Sequence, residues 1–295
     1  VLAVNLSAPV ARACARIPVL RELADFVRVS KSLTQAVEHD YVQTVSQSQT
    51  KEGVTVSVDY LIADEKNLRV FYHIEDARPD NSGHIRAQAE FFRPDGSKLE
   101  GYYLSQTYGT DTDSGLLQID LGFPEENTGE IPAELRLVMR TVQTVEYHNE
   151  APAAAAGERE PEERVLGEYV FDLTIDQDRL AETKVIPIGQ SLELAGQTIT
   201  LERLTIYPTE ARLHVTEDPD NTAWVKGLDF RLELPGGEVL DTVHNGVSAT
   251  GGDGDKQYML ESPYFYEAES LRLVITGVQI LDKTVEWIKV DLTAG

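Results

Sequence analysis

The sequence predicts an all-β chain: two tandem β-sandwich domains preceded by a short helical segment. Three observations predict it. The second half repeats the first in order. Apolar and polar residues alternate over many short runs. Tight-turn residues separate those runs.

The repeat carries the most weight. Gly53-Val54-Thr55-Val56-Ser57-Val58 reads like Gly196-Gln197-Thr198-Ile199-Thr200-Leu201. After a two-residue insertion, Glu65 to Val70 matches Glu210 to Val215. The turn Pro94-Asp95-Gly96 has a counterpart in Pro235-Gly236-Gly237, with Leu99 and Leu240 equally placed beyond it. Leu135 to Val138 matches Leu271 to Val274, and Val142-Gln143 matches Val278-Gln279. Finally Asp172-Leu173-Thr174 matches Asp291-Leu292-Thr293. The stretch Asn149 to Arg164, rich in Ala, Glu, Pro and Arg, has the composition of a linker. Yet the strand Glu168 to Thr174 corresponds to the last strand of the second copy, Trp287 to Thr293. The first domain therefore continues past the stretch, which becomes a long hairpin loop at 149–164. The segments are 1–40 with amphipathic helices, 41–178 as the first sandwich and 179–295 as the second.

In chain order, the elements follow from local pattern. Leu20, Leu23, Ala24 and Val27 share one helical face, and Pro18 suits a first turn. A shorter helix follows, with Ser32 as cap and Gln35 reaching back, and with Leu33, Ala36 and Val37 apolar. Such helices plug one end of the first sandwich or offer a face to a partner. Val54, Val56 and Val58 alternate with Thr55 and Ser57, as a half-buried strand requires. Leu68, Val70, Tyr72 and Ile74 continue the pattern. So do Leu213 and Val215, then Phe230, Leu232 and Leu234. Gly96 supplies the left-handed residue of a hairpin. One long strand per copy changes face. Leu135, Leu137 and Met139 point one way and Val142 the other; Leu271, Leu273 and Ile275 are followed by Val278 and Ile280. The switch falls at Thr141 and at Gly277, where a β-bulge would place it. About seven or eight strands per copy make each sandwich immunoglobulin-like.

Composition bounds function. The 295 residues carry 26 basic and 50 acidic side chains, a net charge of −24. A chain this acidic has no basic stripe for phosphates, which excludes nucleic acid as partner. It also disfavours anionic lipid surfaces. Cys14 is the lone cysteine, so neither an intrachain disulfide nor a cysteine-rich zinc site can form. No apolar run reaches the roughly 18 residues of a membrane span. Val1 to Val4 are apolar and precede small residues through Ala15. They read either as the outer end of a removed signal or anchor, or as a flexible terminus.

No catalytic signature emerges. Asp111-Thr112-Asp113-Ser114-Gly115 begins like a calcium loop, but its glycine comes one residue early and the closing Glu is missing. Glu217-Asp218-Pro219-Asp220 and Asp253-Gly254-Asp255 are also acidic. Each reads as a solvated turn, with a two-loop calcium site as the alternative. None of the six histidines has a partner at helical metal spacing; His73 and His214 belong on outer strand faces. There is no Gly-x-Ser-x-Gly elbow and no phosphate loop. No catalytic residue, cofactor or metal ligand is assigned. Aromatic clusters give the binding hint. Tyr102, Tyr103 and Tyr108 surround one turn region, and Tyr264, Phe265 and Tyr266 lie near Tyr258 in the second copy. They form a candidate ligand or partner surface, or ordinary sandwich packing.

One further pattern spans the first domain: Ile17-Pro18-Val19-Leu20, Leu33-Thr34-Gln35-Ala36-Val37-Glu38, Glu52-Gly53-Val54-Thr55-Val56, then Ile62-Ala63-Asp64-Glu65 and Leu68. It resembles a family of bacterial membrane-anchored ectodomains of uncharacterised function, several of which are described as anti-sigma factors. The region from Lys184 onward looks like the immunoglobulin-like domain that often accompanies it. The resemblance implies a cytoplasmic segment, then one membrane helix ending near Val1 to Val4, with residues 1–40 membrane-proximal and the chain outside. A sigma factor would be held by the cytoplasmic segment, which these residues do not include. No catalytic residue carries over. The expectation is a non-enzymatic, extracytoplasmic sensor or interaction region with a protein or cell-envelope ligand. The alternative is a cell-surface adhesive or glycan-binding sandwich.

Overall fold

The computed structural model describes residues 18–79, 84–107, 115–125, 129–145, 162–249 and 255–283. The chain divides into two compact units, 1–182 and 183–295. Both are all-β sandwiches built from antiparallel strands.

The first unit opens with helices α1 (Pro18–Val27) and α2 (Lys31–Glu38). Strands β1 (Gln43–Lys51), β2 (Val54–Ala63), β3 (Asn67–Asp76) and β4 (His84–Phe92) follow. Then come β5 (Tyr103–Thr107), β6 (Leu117–Gly122), β7 (Glu134–Val145) and β8 (Glu162–Thr174). One sheet runs β1-β2-β3-β6-β5 and the other β4-β7-β8. Val56, Val70 and Tyr72 of the first meet Phe91, Leu137 and Phe171 of the second, all fully buried. Each such side chain contributes roughly 1.5–3 kcal/mol by leaving water. Of the loop read at 149–164, residues 149–161 lie outside the described residues and 162–164 belong to β8.

The second unit holds β9 (Lys184–Leu194), β10 (Gln197–Ile206), β11 (Ala211–Glu217) and β12 (Ala223–Glu233). It continues with β13 (Val239–Ala249), β14 (Asp255–Leu260) and β15 (Arg272–Asp282). The order β9-β10-β11-β14-β13 repeats β1-β2-β3-β6-β5, and β12-β15 repeats β4-β7. β13 passes between sheets: Leu240 pairs with Leu232 of β12, and Val247 with Tyr258 of β14. The first unit does this in two pieces, with a Phe92–Lys98 bridge before β5 joins β6. The first hairpins also agree. Their turn residues, Glu52-Gly53 and Ala195-Gly196, all have φ between 49° and 84°. That is the two-residue turn whose twist suits paired strands. One residue is added to β2 between Val58 and Tyr60, and one to β10 between Leu201 and Arg203.

Three local expectations need correction. A register break does fall at Thr141 and beside Gly277, but the strands absorb it differently. In the first unit the extra residue is Leu166 of β8, while β7 pairs unbroken with β4. β7 therefore keeps one parity: buried Thr141 and Gln143 continue the face of Leu137 and Met139. In the second unit the extra residue is Thr276 of β15 itself, and it returns Val278 to the core face. Next, the cap of α2 is Ser30, not Ser32. Ser30 has extended backbone and its hydroxyl accepts from the Leu33 N–H, while Gln35 donates forward to Glu38. Lastly, the helices do not plug an end. Buried Tyr60, Ile62 and Phe71 lie outside the sandwich core, on the outer face of β2 and β3, and the helices lie there.

Candidate functional site

That outer face follows from the bulge in β2. Val58 pairs with Tyr72 and Tyr60 with Phe71, so Asp59 is the extra residue. Beyond it Tyr60 and Ile62 point outward, an apolar surface where a half-solvated sheet would be polar. α1 and α2 supply the cover through buried Leu23, Val27, Leu33 and Ala36. Phe26 meets Phe71 edge-on, 5.9 Å between centroids at 85°.

A charged clamp flanks this small core. His73 lies on the outer face opposite Ser57. Its Nδ1 is 2.7 Å from Asp59 Oδ2 and its Nε2 2.9 Å from Glu22 Oε1 of α1. Two carboxylates on two ring nitrogens require both nitrogens to donate, which is the imidazolium form. The Asp59 bond is the main cause that raises the His73 pKa to about 9; desolvation opposes it and Glu22 reinforces it. Burial, then the charges of Asp59 and Glu22, push the neighbouring Tyr60 phenol up to about 12. The clamp ties a helix to a sheet.

The predicted aromatic residues fall in different settings. Tyr102 packs edge-on between Phe91 and Phe123 at the rim of the first core, at 6.2 and 6.4 Å. Tyr103 points the other way. It is 37% exposed, its ring lies over Gly122, and its hydroxyl is 3.5 Å from Asn67 Oδ1. Tyr108 lies outside the described residues. In the second unit Tyr264 meets Phe265 edge-on at 5.1 Å, and Lys184 Nζ stands 4.0 Å from the Tyr264 centroid. Tyr264 and Tyr266 pack against the second core and line an apolar groove of about 790 Å³ between β9 and β15. Thus Tyr102 and Tyr103 share no face, whereas Tyr264 and Tyr266 share one groove.

The described residues Glu217 and Asp218 of the acidic loops make local contacts. Glu217 accepts from Lys256 Nζ at 2.5 Å and from the Val225 N–H at 3.0 Å, and Asp218 accepts from the Asp220 N–H. Asp111 to Ser114, Asp253 and Gly254 lie outside the described residues. Among the described residues no three His, Cys, Asp or Glu side chains converge as a metal set. His214 is locally bonded, with Arg203 Nη2 donating to its Nε2 at 3.1 Å. Among the described residues no helix is long and apolar enough to cross a membrane. Sequence reasoning missed the clamp. Glu22 and Asp59 are 51 and 14 residues from His73, and a period-two pattern carries no signal for either contact.

Comparison with known proteins supplies domain relatives. Residues 1–76 match a domain of unknown function (DUF4179). Residues 183–293 match a family of unknown function (DUF5643). No curated protein matches. A solved structure, the crystal structure of the conserved domain protein from Bacillus anthracis, is similar in fold. Its TM-score is 0.52 at 13% identity, over 83% of this chain and 92% of that one. At that identity the likeness concerns the fold alone.

Proposed function

We propose that this chain is the extracytoplasmic, non-enzymatic sensing and interaction region of a membrane-anchored regulator resembling anti-sigma factors. The observation that carries the reading is the docking of α1 and α2 on the outer face of the first sandwich. Phe26 on Phe71 and the Glu22–His73–Asp59 clamp make it. An anchor preceding α1 would connect to this contact directly. The match over residues 1–76 supports it, because it joins the two helices and β1–β3 into one unit.

The mechanism is a two-state one. A ligand or partner that binds the sandwich with helices docked more tightly than with helices released shifts the balance between them. Moving that balance from 1:99 to 99:1 needs about a 10⁴-fold difference in affinity. The decisive test uses the full-length gene product in membranes. A sigma factor co-purifies with it, and Phe26→Ala alters how much is retained. Failure to retain any sigma factor defeats the regulatory reading. A glycan array that lights up with the wild-type chain and goes dark with Tyr264→Ala would favour the adhesive alternative.

A further inference from the structure

We propose that α1 and α2 cover the first sandwich reversibly, and that the buried hydroxyl of Tyr60 is the group that weakens their hold. The inference rests on the two-state reading above and names the residue that sets its balance. Tyr60 is 2% exposed on the outer face of β2, near buried Ile62 and paired with buried Phe71. Its hydroxyl oxygen is shut off from solvent and has no hydrogen-bond partner among the described residues. Two carboxylates bring their charges to bear on it, Asp59 of β2 and Glu22 of α1, and both accept from His73 instead.

The apolar contacts of this face all favour docking. Phe26 on Phe71, and buried Leu23, Val27, Leu33 and Ala36, gain by leaving water. Tyr60 gains with its ring and loses with its oxygen, because a donor taken from water without a new acceptor forfeits its hydration. With the helices released, the hydroxyl returns to water and that loss vanishes. A phenol suits such a half-wet setting, one end apolar and the other hydrated. The hydroxyl therefore acts on one side of the equilibrium, against the docked state. Burying one unpaired donor changes a balance by about fivefold to a hundredfold. A phenylalanine would keep the ring and remove the loss, and Phe26 and Phe71 make just such a contact on the same face.

The interior of the same unit treats a buried tyrosine differently. Tyr169 lies between the sheets, where no cover comes or goes, and its hydroxyl donates to the Val54 carbonyl at 3.0 Å. An unpaired buried group in a folded chain calls for a reason, and a store of strain released by a movement is one. The clamp on this face works in the opposite sense, since Glu22 of α1 is held to the sheet through His73. The face thus combines one group that fastens the helices with one that loosens them. The phenol keeps its proton up to about pH 12, so the loss is that of a neutral donor.

The test is native-state hydrogen exchange on the whole chain, read at α1 and α2 and at β2 and β3. In the wild type the helix amides should exchange faster than the protected amides of β2 and β3, through an opening that leaves the sheet folded. Tyr60→Phe should slow the helix amides by about fivefold to a hundredfold. Helix and sheet amides that exchange together overturn the reversible cover. Helix exchange that is unchanged or faster in Tyr60→Phe overturns the role of the hydroxyl, because a partner such as a buried water would then satisfy it. The wild-type comparison stands even if Tyr60→Phe fails to fold. Sigma-factor retention is a separate readout, so failure of the regulatory reading leaves these rates as they are.

Discussion

The two sandwiches share a strand order and a bulge, yet their outer faces differ in kind. On β2 and β3 the outward residues beyond the bulge are Tyr60, Ile62 and Phe71, apolar and buried beneath helices. On β10 and β11 the outward set is Arg203, Thr205, Arg212 and His214. That set is polar, and Thr205, Arg212 and His214 are nevertheless buried. Arg203 donates to His214, and buried Arg212 pairs with Glu210 at 2.7 Å and stacks on Tyr207 at 5.0 Å. The difference teaches where partners can dock. An inward face must be apolar to make a sandwich at all, so it says little about function. An outward face is free to vary. An apolar one needs a cover, and here α1 and α2 provide it.

That contrast can be broken, and the largest effect is expected at Phe71. Phe71→Ala opens a cavity in the helix–sheet core and should cost about 3–5 kcal/mol of first-unit stability in a urea titration. A cost near zero would mean that the helices do not seal this face.

The clamp comes next. The folded His73 pKa of about 9 lies above its ordinary 6.5. Its contribution is therefore complete below pH 6.5 and disappears as pH rises through 9. The partners are partly solvated, so the amount is on the order of 1–2 kcal/mol after screening. Urea unfolding at pH 6 and pH 10 should show this loss in the wild type. His73→Gln should flatten it, and an unchanged pH profile in that variant would remove the clamp from the account.

Ser30→Ala should cost about 1 kcal/mol, because the Leu33 N–H loses its acceptor at the start of α2. Ser32→Ala should cost less, which thermal unfolding of the two variants can rank. The smallest effect belongs to the polar face. Thr216 donates to Glu202 at 2.7 Å on the outer side of β11, and Thr216→Ala should cost about 0.5–1.5 kcal/mol. A loss as large as that of Phe71→Ala would erase the difference between the faces.

The legible and illegible parts of this molecule divide by range. Alternation at Val54, Val56 and Val58, the Gly96 and Gly237 turns, and the matched order of both halves are local signals, and each appears where the residues imply it. The register breaks at Thr141 and beside Gly277 were visible too, although β7 itself keeps one parity. Which strand holds the extra residue was not, because a bulge belongs to a pair of strands and one strand's sequence describes half of it. The cap shifted from Ser32 to Ser30 because the first extended residue, not the first hydroxyl in a motif, defines where the N–H groups open.

The sequence by itself determined two sandwiches, their turns, their acidic surface and the apolar stripe of α1, all readable from neighbours a few residues apart. Tertiary structure alone decided that the stripe lies on the outer face of β2–β3, and that Glu22, Asp59 and His73 meet. The reason is physical. Burial rewards any apolar partner without direction, so the sequence names the surfaces that must be covered, and only the folded geometry selects which surface covers which.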